Sequence, residues 1–328
     1  MRLGIVVPCY NEEEVLPETA RRLETLLGRL EQSGKTSADS QIYFVDDGSS
    51  DRTWTIIEDL ARSSRRFAGI KLARNRGHQR ALLAGLLNAQ GDALVSIDAD
   101  LQDDTEAVVA MVDAFAAGHD IVYGVRGSRA TDTGFKRGTA SLYYRLLRVF
   151  GVDVVHNHAD FRLMSRRAIE ALRQYGESNL FLRGIIPEIG FRTTTVLYAR
   201  AARFAGTSKY PLRKMIALAA DGITSFSATP LRLIAGIGFL ISLVSMGIGL
   251  WVLWARFFTD RTIPGWASSL LSTYFIGGLE LLSLGVIGEY MAKIYLESKH
   301  RPRFVIEKIV GAESDPSGSG AMERTGRC

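Results

Sequence analysis

Over the first 210 residues, short apolar runs alternate with charged stretches, and the spacing changes from strand-like to helical and back. "RLGIVVPCY" reads as a buried strand ended by Pro8. "EEEVLPETARRLETLLGRLEQ" follows with helical periodicity, its apolar stripe formed by Val15, Leu23, Leu26, Leu27 and Leu30. "QIYFVDDGSSD" is a second strand that runs into an acidic turn, where Ser50 or Asp51 caps the helix "RTWTIIEDLARSS". "GIKLARN" is a third strand, "GHQRALLAGLLNAQ" a helix, and "DALVSIDAD" a fourth strand. "TEAVVAMVDAFAAG" is helical and "DIVYGVR" is a fifth strand. Strands alternating with helices predict an α/β fold with a doubly wound, mostly parallel sheet. In such sheets ligands bind beyond the carboxyl ends of the strands. The polar clusters at 8–12, 46–51 and 98–102, together with Arg126, all fall at predicted strand ends and should converge on one cleft.

The pattern then changes. Residues 233–255 contain no charge over 23 positions, and 262–279 none over 18, each long enough to cross a bilayer as a helix. Before them, "PLRKMIALAADGITSFS" puts Leu212, Met215, Ile216, Ala219, Ile223 and Phe226 on one helical face, with Arg213, Lys214, Asp221 and Thr224 largely on the other. That is the pattern of a helix lying in a membrane interface, or of one packed on the soluble domain. Lys209, Arg213, Lys214 and Arg232 precede the first span, and Lys293, Lys299, Arg301, Arg303 and Lys308 follow the second. Basic flanks on the outer sides place both termini in the cytoplasm and predict a multi-pass protein of the inner (cytoplasmic) membrane. The expected organisation is a catalytic-type domain at 1–210, an interfacial helix at 211–230, spans at 231–256 and 266–292, a cytoplasmic segment at 293–312 and a disordered tail at 313–328. "RPRFVIEKIV" carries a short strand pattern. Glu280 falls inside the second span, and glycines at 236, 247, 277, 278, 285 and 288 permit close helix packing, so self-association into a homo-oligomer is expected.

Composition adds little to this except by exclusion. A net charge of +5, from 40 basic and 35 acidic residues, suits phosphate ligands or anionic lipid and does not point to nucleic acid. Two cysteines, Cys9 and Cys328, form no disulfide or zinc pattern, as in a reducing compartment. The start, "MRLGIVVPCYNEEE", turns acidic too early for a signal peptide.

The densest chemistry lies in "VSIDADLQDD", residues 95–104, with four carboxylates in seven positions. On a strand, Asp98 and Asp100 face the same way. Adjacent carboxylates remain ionised together when a cation sits between them, and a magnesium-like ion shared with substrate phosphates meets that need. Asp103 and Asp104 are expected to form a turn and a cap for the next helix. His156 and His158 lack a third spaced partner, so they predict no metal site.

"IVVPCYNEEEVL", "VDDGSSDRTW", "DADLQDD" and "YGVRGSR", in this order and spacing, resemble the GT-A family 2 nucleotide-sugar glycosyltransferases. "DFRLMSRRAIEAL", "ARFAGTSKYPLRKM" and the two terminal spans narrow the resemblance to the polyisoprenyl-phosphate glycosyltransferases, the group that includes dolichol-phosphate mannose synthase and bactoprenol glucosyltransferase. It covers about residues 1–310. The resemblance implies a nucleotide-sugar donor held by Pro8, Tyr10, Glu12, Val45, Asp47, Asp98, Ala99, Gln102 and Arg126. It implies Mg²⁺ or Mn²⁺ on Asp98 and Asp100, a catalytic role for Asp160, Arg203 and Lys209, and acceptor-phosphate contacts from Arg162, Ser208 and Lys209. The partners implied are the donor, a polyisoprenyl phosphate and the membrane. "GHQRALLAGL" and "LGVIGEYMAKIYLESKHRPRF" resemble the bacterial enzymes more closely, which favours UDP-glucose and undecaprenyl phosphate over UDP-N-acetylglucosamine, UDP-galactose, GDP-mannose or a modified pentose. A processive polysaccharide synthase would carry Q-x-x-R-W, which this sequence lacks, and a degenerate scaffold would not keep Asp98, Asp100 and Asp160. A phosphate monoester loses its second proton at a pKa of about 6, so such an acceptor needs little help from a general base. Asp160 is then expected to orient the acceptor or support a neighbouring cation.

Overall fold

The protein is described by a computed structural model covering residues 1–127, 158–177, 182–198, 229–258 and 266–311. Its first unit is built on one eight-stranded sheet, in the order β7-β5-β6-β4-β1-β2-β3-β8. The strands are β1 (Leu3–Cys9), β2 (Gln41–Asp46), β3 (Phe67–Leu72), β4 (Ala93–Ser96), β5 (Ile121–Arg126), β6 (His158–Ser165), β7 (Thr193–Tyr198) and β8 (Ile306–Val310). Between them run α1 (Leu16–Gln32), α2 (Thr53–Ser63), α3 (His78–Asn88), α4 (Ala107–Ala116), α5 (Arg166–Arg173) and α6 (Leu182–Glu188). Strands β3, β2, β1 and β4 are mutually parallel, as the alternating pattern predicts. All seven residues of β1 and all six of β2 are buried, the signature of central strands covered on both faces.

The sheet is mixed, and the exceptions shape the cleft. β6 runs antiparallel between β4 and β5, and β8 runs antiparallel along β3. Because β6 starts where β4 stops, its first residues lie at the carboxyl end of the parallel strands. β1 was expected to end at Pro8 but continues through it to Cys9. The ladder to β4 stops at Val6, whose carbonyl accepts from Ile97 N (3.1 Å), so the missing N–H of Pro8 falls where no strand would use it.

Packing of α3 onto the sheet depends on Gly85. A Cβ there would lie 2.3 Å from Val6 Cγ1 and 2.8 Å from Val45 Cγ2. On the other face, Leu16, Leu23, Leu26, Leu27 and Leu30 of α1 are buried in the main core with Ile5, Val7 and Phe44. β8 is fastened by Lys71 Nζ to Glu307 (3.0 Å), Lys308 Nζ to Glu58 (2.8 Å) and Arg303 Nη1 to the carbonyl of Tyr175 (2.6 Å).

The second unit contains two long helices, α7 (Thr229–Phe258) and α8 (Trp266–Ser298). Both expected spans are therefore helical. Among the described residues one stretch, Phe275–Ser298, is long and apolar enough to cross a membrane. Phe239, Leu243, Trp251, Phe275, Leu281 and Leu284 are exposed on these helices. Glu280 borders a groove of about 550 Å³ between them, lined also by Gly238, Ile241, Ile276 and Ser283. The expected interfacial helix at 211–228, the tail at 313–328, and Arg203, Ser208 and Lys209 lie outside the described residues.

Candidate active site

Three loops meet at the carboxyl ends of β1, β2 and β4. The first two are stitched together: Asn11 N donates to Ser49 Oγ (3.0 Å), Ser50 N to Asn11 Oδ1 (2.9 Å), Glu12 N to Thr53 Oγ1 (2.9 Å) and Arg52 N to Glu13 (3.0 Å). Asp51 accepts from Thr53 N (3.0 Å) in a turn leading into α2, whose N-cap is Arg52 without a side-chain cap bond, not Ser50 or Asp51 as expected. Tyr10 stands out of this rim, nearly half exposed at 48%. Asp47 is spent on a different loop. Its two oxygens accept from Arg76 N (2.7 Å) and Gly77 N (2.8 Å) ahead of α3. Gly48 permits that approach, since its φ is 70° and a Cβ would lie 2.7 Å from Asn75 N. Val45 is fully buried in β2 and offers no surface to a ligand. The side-chain setting of Arg126, at the end of β5, lies outside the described features.

The acidic loop differs from its expectation in one respect. β4 ends at Ser96, so Asp98 and Asp100 are not on a strand, and alternation does not bring them together. Both lie in the loop that follows, which turns just beyond them at a left-handed residue, Leu101, at φ 57°. Gln102 N donates to Asp100 Oδ1 (3.2 Å) across that turn. Thr19 Oγ1 of α1 holds the carbonyl of Ala99 (2.8 Å). Asp104 accepts from Glu106 N (2.9 Å) in the turn before α4, whose N-cap is Glu106 and not an aspartate as expected. Asp103 instead reaches sideways and accepts from the hydroxyl of Tyr198 at the end of β7 (2.5 Å).

Facing this loop is a buried charge cluster centred on Asp160 of β6. Arg162 Nη2 donates to Asp160 Oδ1 (2.6 Å), and Arg183 of α6 donates through Nε (3.3 Å) and Nη2 (3.1 Å). His78 Nε2 lies 3.5 Å from both Asp160 and Asp98, linking the two acidic positions. Side-chain exposure rises outward: Arg162 0%, Asp160 7%, Arg183 36%, His78 44%. Arg162, expected at the acceptor phosphate, therefore lies beneath Asp160 and does not open onto the cleft. The Ser96 hydroxyl bonds the carbonyl of Asp160 and fixes β6 at this point.

Burial by itself would raise the Asp160 carboxyl, but the hydrogen bond from His78 and the charges of Arg183 and Arg162 hold it well below the usual carboxylate range. Asp98 goes the other way. Burial pushes it up to about 6, His78 pulls it down, and the neighbouring carboxylates of Asp160, Asp103 and Asp100 add to the rise. A carboxylate in this state gains from a divalent cation alongside it, so Asp98 and Asp100 fit a metal site chemically. Among the described residues no three His, Cys, Asp or Glu side chains are grouped to hold a metal ion. His78 and Arg183 carried no assignment from the sequence. The available signal for Arg183 was a single arginine inside the apolar run "LFLRGII".

The cleft and sheet define a GT-A-type α/β domain suited to a nucleotide diphosphate. Residues 4–173 match the family model described as Glycosyl transferase family 2. Over 309 residues the chain is 48% identical to an uncharacterized glycosyltransferase, YkoT, of Bacillus subtilis, covering 93% of this chain and 91% of that protein. It is 39% identical over 311 residues to the bactoprenol glucosyl transferase of Shigella phage SfV, covering 94% and 98%. Among solved structures, glucosyl-3-phosphoglycerate synthase from Mycobacterium tuberculosis, in complex with Mn²⁺, UDP and phosphoglyceric acid, is similar with a TM-score of 0.44 and 20% identity, covering 68% of this chain and 76% of that one. The chain belongs to glycosyl transferase family 2, as a polyisoprenyl-phosphate glycosyltransferase.

Proposed function

We propose that this enzyme transfers glucose from UDP-glucose to undecaprenyl phosphate at the cytoplasmic face of the membrane, with inversion at the anomeric carbon. The observation that carries the reading is the meeting of Asp98 and Asp100 with an arginine-held Asp160 in one cleft. The relatives named bactoprenol glucosyl transferase favour glucose and a polyisoprenyl acceptor. The apolar stretch Phe275–Ser298 and the basic flanks favour a membrane-held, multi-pass enzyme with both termini cytoplasmic.

In this reading Tyr10, Glu12 and the loop fixed by Asp47 receive the nucleotide. Asp98 and Asp100 would hold Mg²⁺ or Mn²⁺, which when bound neutralises charge on the diphosphate. A phosphate oxygen of the acceptor attacks the anomeric carbon, a new C–O bond forms, and the bond to the UDP oxygen breaks. The acceptor phosphate arrives largely ionised, so no protein group has to take its proton. Asp160, held as an anion by Arg162, Arg183 and a hydrogen bond from His78, is a poor proton acceptor and serves to position them. Gln102, Arg126, Arg203, Ser208 and Lys209 complete the phosphate contacts in the proposal.

Membranes containing the enzyme, incubated with radiolabelled UDP-glucose and undecaprenyl phosphate, should yield an organic-extractable, mild-acid-labile product. A panel of UDP-N-acetylglucosamine, UDP-galactose and GDP-mannose tests the sugar. Preferential use of another donor replaces glucose in the proposal, and no lipid-linked product from any donor refutes it.

A further inference from the structure

Asp98 and Asp160 come from different parts of the sheet, and one side chain touches both. His78 Nε2 lies 3.5 Å from Asp98 Oδ1 and 3.5 Å from Asp160 Oδ2. A ring nitrogen that faces two carboxylates carries the proton, so Nε2–H is a donor shared between them. The approach of the ring is set by the backbone before it, where Asp47 accepts from Arg76 N and Gly77 N. The two acids differ in what else holds them. Asp160 also accepts from Arg162 and Arg183. Asp98 has His78 as the one polar partner of its carboxylate among the described residues, while Asp160, Asp103 and Asp100 work against its charge. Both histidine contacts are longer than a full N–H···O bond of about 2.9 Å, so giving up one of them costs little.

We propose that His78 is a positioning residue: it keeps Asp98 aimed into the cleft until a divalent cation takes that carboxylate, and it then stays on Asp160. The inference rests on the cation assignment in the reading above and adds the protein group that the cation displaces. Four carboxylates in one cleft repel each other, and an Asp98 with no partner would turn to water or take up a proton. An imidazole N–H prevents this without a fixed positive charge. A lysine or arginine in its place would compete with the cation far more strongly. Because the donor is shared, releasing Asp98 leaves it with Asp160 and strands no N–H group in the cleft.

The test measures Mn²⁺ binding to the full-length enzyme in detergent micelles, by electron paramagnetic resonance with saturating UDP at one fixed pH near neutrality. His78→Phe keeps a ring and removes the donor. Mn²⁺ should then bind about 3- to 10-fold tighter, because it no longer displaces a hydrogen bond from Asp98. His78→Gln returns an amide N–H at about the reach of Nε2, and its Mn²⁺ affinity should stay within about twofold of the parent. His78→Asn, whose amide reaches only as far as Nδ1, should tighten binding as His78→Phe does, and it carries the test if the phenylalanine variant fails to fold. A histidine that merely supported the fold would give the opposite sign, since a disturbed site binds the ion more weakly. Unchanged or weaker Mn²⁺ binding in the variants without the donor, or equal tightening in His78→Gln, overturns the inference and leaves the transfer reaction standing. A parent enzyme that binds no Mn²⁺ in the presence of UDP overturns the cation assignment with it.

Discussion

Replacing Asp160 by Asn keeps the shape of the side chain and removes its charge. Arg162 is then left fully buried. Its Nη2 bonds Asp160, while its Nε and Nη1 have no hydrogen-bond partner among the described residues. A buried cation stripped of its counter-ion costs about 3–5 kcal/mol. For a unit of roughly 200 residues that lowers Tm by roughly 6–20 °C. Thermal unfolding of the purified protein followed by intrinsic fluorescence measures it. Arg162→Met should cost less, because Asp160 keeps Arg183 and His78. The double variant Asp160→Asn/Arg162→Met should fall short of the sum of the singles by at least about 1 kcal/mol, since it removes the stranded charge. Additivity within about 0.5 kcal/mol refutes the reasoning, because neighbours sharing one ion pair must couple. The folded carboxyl of Asp160 lies well below the usual carboxylate range, so its contribution is present above an unfolded value of about 4 and fades as the pH falls towards the folded pKa. Asp160 also raises the neighbouring His78, so the gap between parent and Asp160→Asn should widen as the pH falls through the histidine range and narrow below about 4. UDP affinity should survive the substitution while turnover falls, and unchanged turnover would remove Asp160 from the site.

Three further predictions follow from other parts of the molecule. With Asp98 pushed up to about 6, protons compete with cations, so Mn²⁺ affinity in the presence of UDP should be about tenfold weaker at pH 5 than at pH 7.5 by electron paramagnetic resonance. Asp100→Ala should abolish metal-dependent UDP binding at either pH, and equal affinity with and without metal would sink the cation assignment. Gly85→Val should destabilise the first unit by about 1–3 kcal/mol, since even its Cβ would strike Val6 and Val45, and urea unfolding reads the loss. Truncation after Arg301 removes β8 and should raise amide exchange along the outer edge of β3, while unaltered protection at Lys71 and Ala73 would show that β8 is dispensable.

The parallel centre of the sheet was legible because buried strands leave unbroken apolar runs, and β1 and β2 have them. The antiparallel placement of β6 was not. "HADFRLMS" carries Asp160 and Arg162 into the interior, and periodicity records which face a residue takes without recording strand direction. Asp98 and Asp100 were singled out for chemical reasons but placed on a strand, whereas β4 ends at Ser96 and both lie in the loop that follows it. The burial of Arg162 was hidden because an arginine in a sequence reads as solvated until its partner is seen. Arg183 was hidden by its apolar neighbours, and its role exists only once α6 is brought against β6 and α3. His78 sat in a recognised helix, yet its value comes from standing between two carboxylates distant from it in sequence, Asp98 and Asp160.

The strand β8 gives the chain an order of assembly. Lys71 and Glu307, paired across β3 and β8, are 236 positions apart. In chain order, both long helices are an insertion between β7 and β8 of a single sheet. A ribosome must therefore deliver the apolar segments before the strand that closes the β3 edge emerges. During that interval β3 carries an open row of backbone donors and acceptors, the kind of edge that invites strand pairing with other chains. Closing the sheet thus follows synthesis of both long helices, which ties completion of the cleft domain to prior delivery of the helical segment.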